Sequence, residues 1–249
     1  MNFLKNILYL PLGATLTLSI MIGMITPLHA AEENNDLKVQ AISLQNKYSS
    51  LISLSFTFDQ ATRTGSRQRV GQGKATFYRY QAPAEVRQDT SPPAAQSVMR
   101  WDYTLPDPQV IISDGETLSI YTEKDKQLIR TPAKNLESDI TYAFFAGTRS
   151  LTDDFTAQPG SNEYMFSSGD DLHTIVLVPR EPHNQIRDMQ IWFDDQKIIH
   201  HLVIRDHFDS VTELNFSNIR VNDLIPGDRD ELNRIITFPL PPGTEIISR

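Results

Sequence analysis

Alternation of apolar and polar residues through residues 99–121 is the feature that most constrains how this chain can fold. Neighbouring residues in a strand point to opposite faces, so Met99, Trp101 and Tyr103 share one face of a predicted strand. A proline-rich break and the pair Asp114-Gly115 separate two further short strands. An Asp-Gly pair is typical of a hairpin because glycine adopts a positive φ at little cost. The stretch therefore predicts antiparallel strands with an aromatic face packed against apolar material.

Residues 1–30 have the pattern of a secretory signal peptide. Lys5 precedes a long apolar run that ends at the small residue Ala30. We expect cleavage after Ala30, with an uncleaved membrane anchor as the alternative for so long a run. The mature chain, residues 31–249, is then expected to fold as a single domain outside the cytoplasm.

Composition argues against several classes of function. The formal net charge is −8 without a basic stripe, which argues against binding to nucleic acid or to anionic lipid surfaces. The chain has no cysteine, so it has no disulfide, no thiol chemistry and no lipidation site of its own. It also lacks a nucleophile elbow, a zincin motif, a P-loop and a dinucleotide fingerprint. We therefore predict neither catalysis nor a cofactor.

Histidines and paired acids are the remaining candidates for chemistry. His200 and His201 are adjacent, so on a strand they would point to opposite faces and could not bind one metal ion together. Three other histidines could in principle join one of them: His173, His183 and His207. Each pair of adjacent aspartates lies beside a turn, which indicates solvated turn acids rather than a glycosidase or Ca²⁺ site. We predict no metal site.

Two stretches predict amphipathic helices. The first begins at an Asx cap within residues 34–36 and repeats apolar residues at spacings of three and four. Its apolar stripe contains Leu37, Ala41, Leu44 and Tyr48. The second covers Leu136–Ala146, with Ile140 and Phe144 on its apolar face and Phe145 beside that face. Each helix could be a fixed cover on an ordinary core or a lid that lifts.

Most of the remaining chain predicts strands. Leu54, Phe56 and Phe58 alternate with polar residues, and Gly71 and Gly73 indicate a bulge or bend in the next strand. Closely spaced strands continue to residue 222, which favours antiparallel pairing. We predict that residues 81–96 form an exposed insertion. The proline-rich residues 238–243 are predicted to form a tail along a sheet edge. The predicted fold is mainly β with helices (α+β), and composition alone favours a closed core.

The order of several short motifs resembles the LolA family of periplasmic outer-membrane lipoprotein carriers. The resemblance begins with the order RW, a proline break, SDG-x-TL and Tyr121 in residues 99–121. It continues in Gly71-Gln72-Gly73, in Phe145-Ala146-Gly147 followed by residues 151–155, and in the tail 238–243. The motifs together span nearly all of residues 36–247.

This resemblance implies an unclosed antiparallel β-barrel, a half-barrel, with a helical lid over a hydrophobic cavity. The matching cavity residues are Leu54, Phe56, Phe58, Phe77, Met99, Trp101, Tyr103, Leu118 and Ile120. The matching lid residues are Leu37, Ala41, Leu44, Tyr48, Ile140 and Phe144. The family's arginine that latches the lid corresponds to Arg79. The chain departs from the family pattern here in two ways. Tyr80 stands where the family usually has proline, and the insertion 81–96 follows.

The resemblance also implies a function. Members of the family bind the acyl chains of lipoproteins released by an inner-membrane ABC complex and deliver them to an outer-membrane receptor. We accordingly expect a monomeric periplasmic carrier that works without a cofactor. Two alternatives use the same fold: a carrier of another lipid, and a regulatory protein that senses lipoproteins. Sensors of that kind carry an additional C-terminal domain, which we do not expect here.

Overall fold

The computed structural model describes residues 28–82, 96–136, 145, 150–161, 172–182 and 186–248. Its α-helices are α1 (Leu28–Ser50), α2 (Leu151–Asp154) and α3 (Arg229–Ile236), and a 3-10 helix covers Ala133–Leu136. The first six strands are β1 (Ser53–Thr64), β2 (Arg67–Tyr80), β3 (Gln96–Leu105), β4 (Gln109–Ser113), β5 (Thr117–Thr122) and β6 (Gln127–Pro132). The others are β7 (Phe155–Pro159), β8 (His173–Pro179), β9 (Asp188–Phe193), β10 (Ile199–Arg205), β11 (Val211–Val221) and β12 (Glu245–Ser248).

All these strands belong to one sheet, in the order β12-β6-β5-β4-β3-β2-β1-β11-β10-β9-β8-β7. Neighbouring strands are antiparallel except β12 and β6, which are parallel. Within the described residues the edge strands β7 and β12 are not paired to each other, so the sheet remains open. The predicted mainly β fold with an unclosed antiparallel sheet is therefore confirmed.

The two faces of the sheet have different covers. We call the face that packs against α1 the inner face, and it carries the larger apolar cluster, which includes Leu44, Phe56 and Trp101. The outer face carries a smaller cluster in which Tyr78 and Val98 meet α3. Because successive residues of a strand point to opposite faces, β2 contributes side chains to both clusters.

Gly73 allows two groups to come unusually close to β2. A Cβ atom at this position would lie 2.2 Å from the carbonyl oxygen of Asp102 and 2.8 Å from Cζ of Phe58. The pairing of β2 with β3 also shifts register between Gln72 and Gly73, which confirms the predicted bulge. The missing side chain thus makes room for the Phe58 ring on the inner face.

Three of the predicted elements differ from the structure or lie outside it. Helix α1 begins at Leu28 rather than at residues 34–36, because the intervening residues are good helix formers and continue the helix. Most of the second predicted helix lies outside the described residues, including Ile140 and Phe144. Part of the predicted run of strands, residues 163–167, and most of the insertion 81–96 also lie outside them.

The prediction that residues 238–243 run along a sheet edge is wrong, because the edge strand β12 begins only after them. Phe238 lies on the outer face, with its ring centroid 5.0 Å from that of Tyr121 and 5.9 Å from the Arg100 guanidinium carbon. Arg100 also donates a hydrogen bond of 2.9 Å to the carbonyl oxygen of Thr237. Only β12 reaches the edge, because prolines within residues 238–243 cannot donate to a β-ladder.

Helix α3 was not predicted, although its sequence carries a start signal. Asp228 accepts hydrogen bonds from the backbone N–H groups of Asp230 and Glu231, as an N-cap does. Leu232 and Ile235, three residues apart, are buried against the outer face.

We predict that Gly73→Ala destabilises the fold by about 1–3 kcal/mol, because the added carbon meets a backbone oxygen that cannot rotate away. The free energy of unfolding in urea measures this cost. Gly71→Ala is the matched control, since its Cβ would lie 3.3 Å from the Tyr103 ring, which can shift. Equal losses for the two variants would contradict the role assigned to Gly73.

Candidate functional site

Six aromatic side chains gather on the inner face within the described residues, five of them from four strands and the sixth from Phe145. We call this group the aromatic cage, and its members are Phe56, Phe58, Phe77, Trp101, Phe145 and Phe216. The strand residues reach it because they occupy alternate positions of β1, β2, β3 and β11 that face the same side. All six are buried.

Phe56 lies at the centre of the cage. Its ring centroid is 4.7 Å from that of Phe216, 5.3 Å from that of Phe145 and 5.7 Å from that of Trp101. The planes of Phe56 and Trp101 meet at 80°, an edge-to-face arrangement that the aromatic quadrupole favours. The cage is therefore held by specific ring contacts as well as by apolar burial.

The structure brings together all nine residues predicted to line a cavity. Seven of them are buried in the inner cluster, while Tyr103 and Ile120 are partly buried and pack against it. Their common location follows from the strand alternation that the sequence displays. Access of a lipid to this face depends on the elements that cover it.

Helix α1 covers part of the inner face through the predicted stripe. Leu37, Ala41, Leu44 and Tyr48 are all buried in the inner cluster. The Tyr48 hydroxyl accepts a hydrogen bond of 3.0 Å from the backbone N–H of Ile199, and burial raises the pKa of this hydroxyl. Gln45 accepts a 2.8 Å hydrogen bond from the N–H of Leu151, so α1 also holds the start of α2.

Phe145 completes the cover. Its ring lies 5.3–5.8 Å from those of Tyr48, Phe56, Phe77 and Phe216. It therefore bridges the aromatic residues of the sheet and the tyrosine of α1. The sequence prediction placed Phe144 on the apolar face and Phe145 beside it. Phe144 lies outside the described residues, so the structure adds Phe145 to the cover and leaves the prediction for Phe144 as it stands.

One small crevice beside the cage is bounded by residues that the structure describes. This crevice of about 20 Å³ is bounded by Leu54, Phe77, Val98 and Phe145, with Arg79 at its polar side. This volume holds roughly one water molecule. An acyl chain could therefore reach the cage only if α1 and Phe145 moved away from the sheet.

Arg79 joins the sheet to the end of α1. Its Nη1 atom donates a hydrogen bond to the carbonyl oxygen of Ser49, in the last turn of the helix. The carbonyl groups there have no partner further along the helix, and the helix dipole favours a positive charge at this end. Partial burial lowers the pKa of the Arg79 guanidinium from its ordinary value. The predicted latch residue thus contacts the first of the two predicted lid elements.

The candidate metal ligands have other partners in the structure. His200 pairs with Asp194 at 2.9 Å, His201 with Asn215 at 2.6 Å, and His173 with Asp195 at 2.7 Å. Within the described residues, no three side chains of the types that bind metals come together. His183 lies outside those residues.

The model of the outer membrane lipoprotein carrier protein LolA matches residues 97–228, more than half of the chain. The chain belongs to the LolA family. Among the helices that the structure describes, none is both long enough and apolar enough to span a membrane.

Individual relatives match over a wider range. An outer-membrane lipoprotein carrier protein of Chromohalobacter salexigens is 27% identical over 240 residues, covering 96% of this chain and 95% of the relative. One from Francisella philomiragia is 25% identical over 204 residues, covering 82% and 86% respectively. A solved LolA superfamily structure from Nitrosomonas europaea has 14% identity and a TM-score of 0.38, and the match covers 80% of this chain and 97% of that structure.

We predict that Phe145→Ala opens an apolar space in the cage, so that a fluorescent fatty acid binds more tightly than to wild type. Truncating a buried phenylalanine also costs about 3–5 kcal/mol of stability. Phe193→Ala is the matched control, because this buried ring packs near His173 and Lys197 instead. Titration of the probe should separate the variants, and equally tight binding by both would contradict a specific role for Phe145.

Proposed function

We propose that this protein carries lipoproteins across the periplasm, binding their acyl chains against the aromatic cage and delivering them from the inner to the outer membrane. The supporting observation is the cover of the cage. Within the described residues, α1 and Phe145 cover this apolar face, and Arg79 fastens the helix to the sheet. Such a cover can be exchanged for acyl chains without unfolding the sheet.

The energetics of the cargo require this arrangement. Each buried methylene group contributes about 0.8 kcal/mol, so a lipoprotein anchor with several acyl chains is almost never free in water. A carrier has to offer comparable apolar surface and still release it. In this proposal the lid returns to the cage when the cargo leaves, and the energy of closing offsets part of the cost of release.

We infer the partners and the location of this protein from the family to which the chain belongs. The partners are acylated lipoproteins, the inner-membrane ABC release complex and an outer-membrane lipoprotein receptor. The signal peptide predicted at residues 1–30 would export the chain, and the mature domain would act in the periplasm. The function is binding and transfer, and the proposal includes no catalytic step.

A release assay tests this function. Membranes containing the release complex and an acylated lipoprotein are incubated with the mature protein, and we expect a soluble 1:1 complex of carrier and lipoprotein. The same lipoprotein lacking its acyl chains is the control and should form no complex. If the acylated lipoprotein stays in the membrane while another lipid is extracted, the protein carries that lipid instead.

Arg79→Leu tests the latch. A hydrogen bond to a charged group contributes about 1.5–3 kcal/mol, and its loss destabilises the closed, empty state that competes with cargo. We expect the variant to hold acylated lipoprotein about 10–100-fold more tightly and to transfer less of it to acceptor membranes.

The control for this variant is Lys74→Leu, which removes an exposed positive charge from the same strand. Dissociation of labelled lipoprotein into vesicles measures retention for both proteins. Wild-type transfer by Arg79→Leu would remove Arg79 from the mechanism and leave the carrier function in place.

A further inference from the structure

The inner face of the sheet changes from apolar to polar along the strands. On β1, Leu54, Phe56 and Phe58 are followed on the same face by Gln60 and Thr62. The apolar residues are buried, whereas the two polar residues are only partly buried. Packing of a closed core does not by itself explain why the side chains on one face of β1 change from apolar to polar halfway along the strand.

Neighbouring strands also carry polar residues towards the same end of this face. Thr62 is paired with Arg69 of β2 and with Thr212 of β11. On the other side of β2, Gln109 of β4 is paired with Thr122 of β5. Side-chain hydrogen bonds join the pairs Thr62–Thr212 at 3.1 Å and Gln109–Thr122 at 3.3 Å. A polar band therefore crosses several strands at one end of the apolar face.

This band borders an open cleft of about 870 Å³. We call the cleft the vestibule, and the polar residues of its lining that the proposal uses are Gln60, Thr62, Arg69, Tyr103, Gln109 and Thr122. Gln68 and the ion pair of Asp107 with Lys124 also line it. Its volume lies within the range of about 300–1,000 Å³ typical of ligand pockets. The space is thus far larger than the crevice beside the cage.

Tyr103 connects the vestibule with the aromatic cage. Its ring centroid lies 4.9 Å from that of Phe58 and 6.3 Å from that of Trp101. Its hydroxyl donates a hydrogen bond of 3.1 Å to Oε1 of Gln60. Gly71 leaves room for this ring, since a Cβ there would lie 3.3 Å from it. One side chain therefore has its ring on the cage and its hydroxyl on the polar band.

We propose that the vestibule binds the polar part of the cargo: the ester and amide groups of the acylated first residue and the short extended peptide that follows it. The inference rests on the proposed function, which places the acyl chains in the cage. An acylated N-terminus is apolar at one end and rich in peptide groups at the other, and the inner face has the same order. The cage and the vestibule then recognise the two halves of one molecule.

The lining has the hydrogen-bonding groups that this ligand requires. The side chains of Gln60 and Gln109 each offer an amide donor and a carbonyl acceptor, which match the two polar groups of a peptide unit. Arg69 is exposed at the rim and offers several donors to ester and peptide carbonyl oxygens. An acylated amino terminus carries no positive charge, so the positive charge of Arg69 meets no repulsion there.

The test uses two synthetic probes that share one lipid. Both contain N-palmitoyl-S-dipalmitoylglyceryl cysteine, one as the single-residue amide and the other extended by Ser-Ser-Asn-Ala. Binding to the mature protein is followed through Trp101 emission in a Trp192→Phe background, since these are the two tryptophans of the chain. We expect the extended probe to bind about tenfold more tightly, equivalent to one additional net hydrogen bond.

The double variant Arg69→Gln with Thr62→Val should abolish this difference, because the extended probe loses more affinity than the single-residue probe, which presents fewer polar groups to the vestibule. Lys74→Gln is the matched control on the outer face of β2 and should keep the difference. Urea unfolding of each variant verifies the fold, and Arg69→Gln alone, at an exposed position, should reduce the difference without a change in stability.

The outcomes distinguish the two proposals. If wild-type protein binds both probes equally, or if the double variant keeps the tenfold difference, the vestibule assignment is wrong and the carrier function stands. If wild-type protein binds neither probe, both the vestibule assignment and the proposed function fail.

Discussion

Covering the inner face of an open sheet is the constraint on which the rest of this structure depends. A closed barrel shields its interior with its own strands. Here the described edge strands β7 and β12 are not paired, so the aromatic cage needs a separate cover. Within the described residues, α1 and Phe145 contribute to this cover by apolar packing, and hydrogen bonds hold the helix in place. In the proposed function, the stability of the empty protein therefore depends on how well the lid covers the cage.

The same constraint explains why polar contacts fasten the lid at few points. Apolar packing over Leu37, Ala41 and Leu44 supplies non-directional attraction, which an acyl chain could replace by contacts of similar kind. Arg79 adds a directional contact that cargo does not reproduce. The closed state can then be favoured over a non-specific opening and still give way to a ligand that fills the cage.

Sequence reasoning predicted the sheet well because its signals are local. Alternation through Met99, Trp101 and Tyr103 and the pair Asp114-Gly115 each specify a face or a turn within a few residues. The importance of Phe145 was missed because it depends on the tertiary contacts of one of two adjacent phenylalanines. The parallel pairing of β12 with β6 was missed for a similar reason, since the partners are more than a hundred residues apart.

The described polar contacts that hold α1 to the rest of the protein lie near its carboxy-terminal end. Gln45, Tyr48 and Ser49 hold the helix to α2, β10 and Arg79, and all three lie in its last two turns. Leu37 and Ala41, nearer the other end, are held by apolar contacts. At 1.5 Å per residue the part of the helix left after cleavage, residues 31–50, is about 30 Å long, so a small rotation near Leu51 moves its far end by several ångströms. In the proposed function, cargo would then displace the lid by rotating it about this carboxy-terminal end.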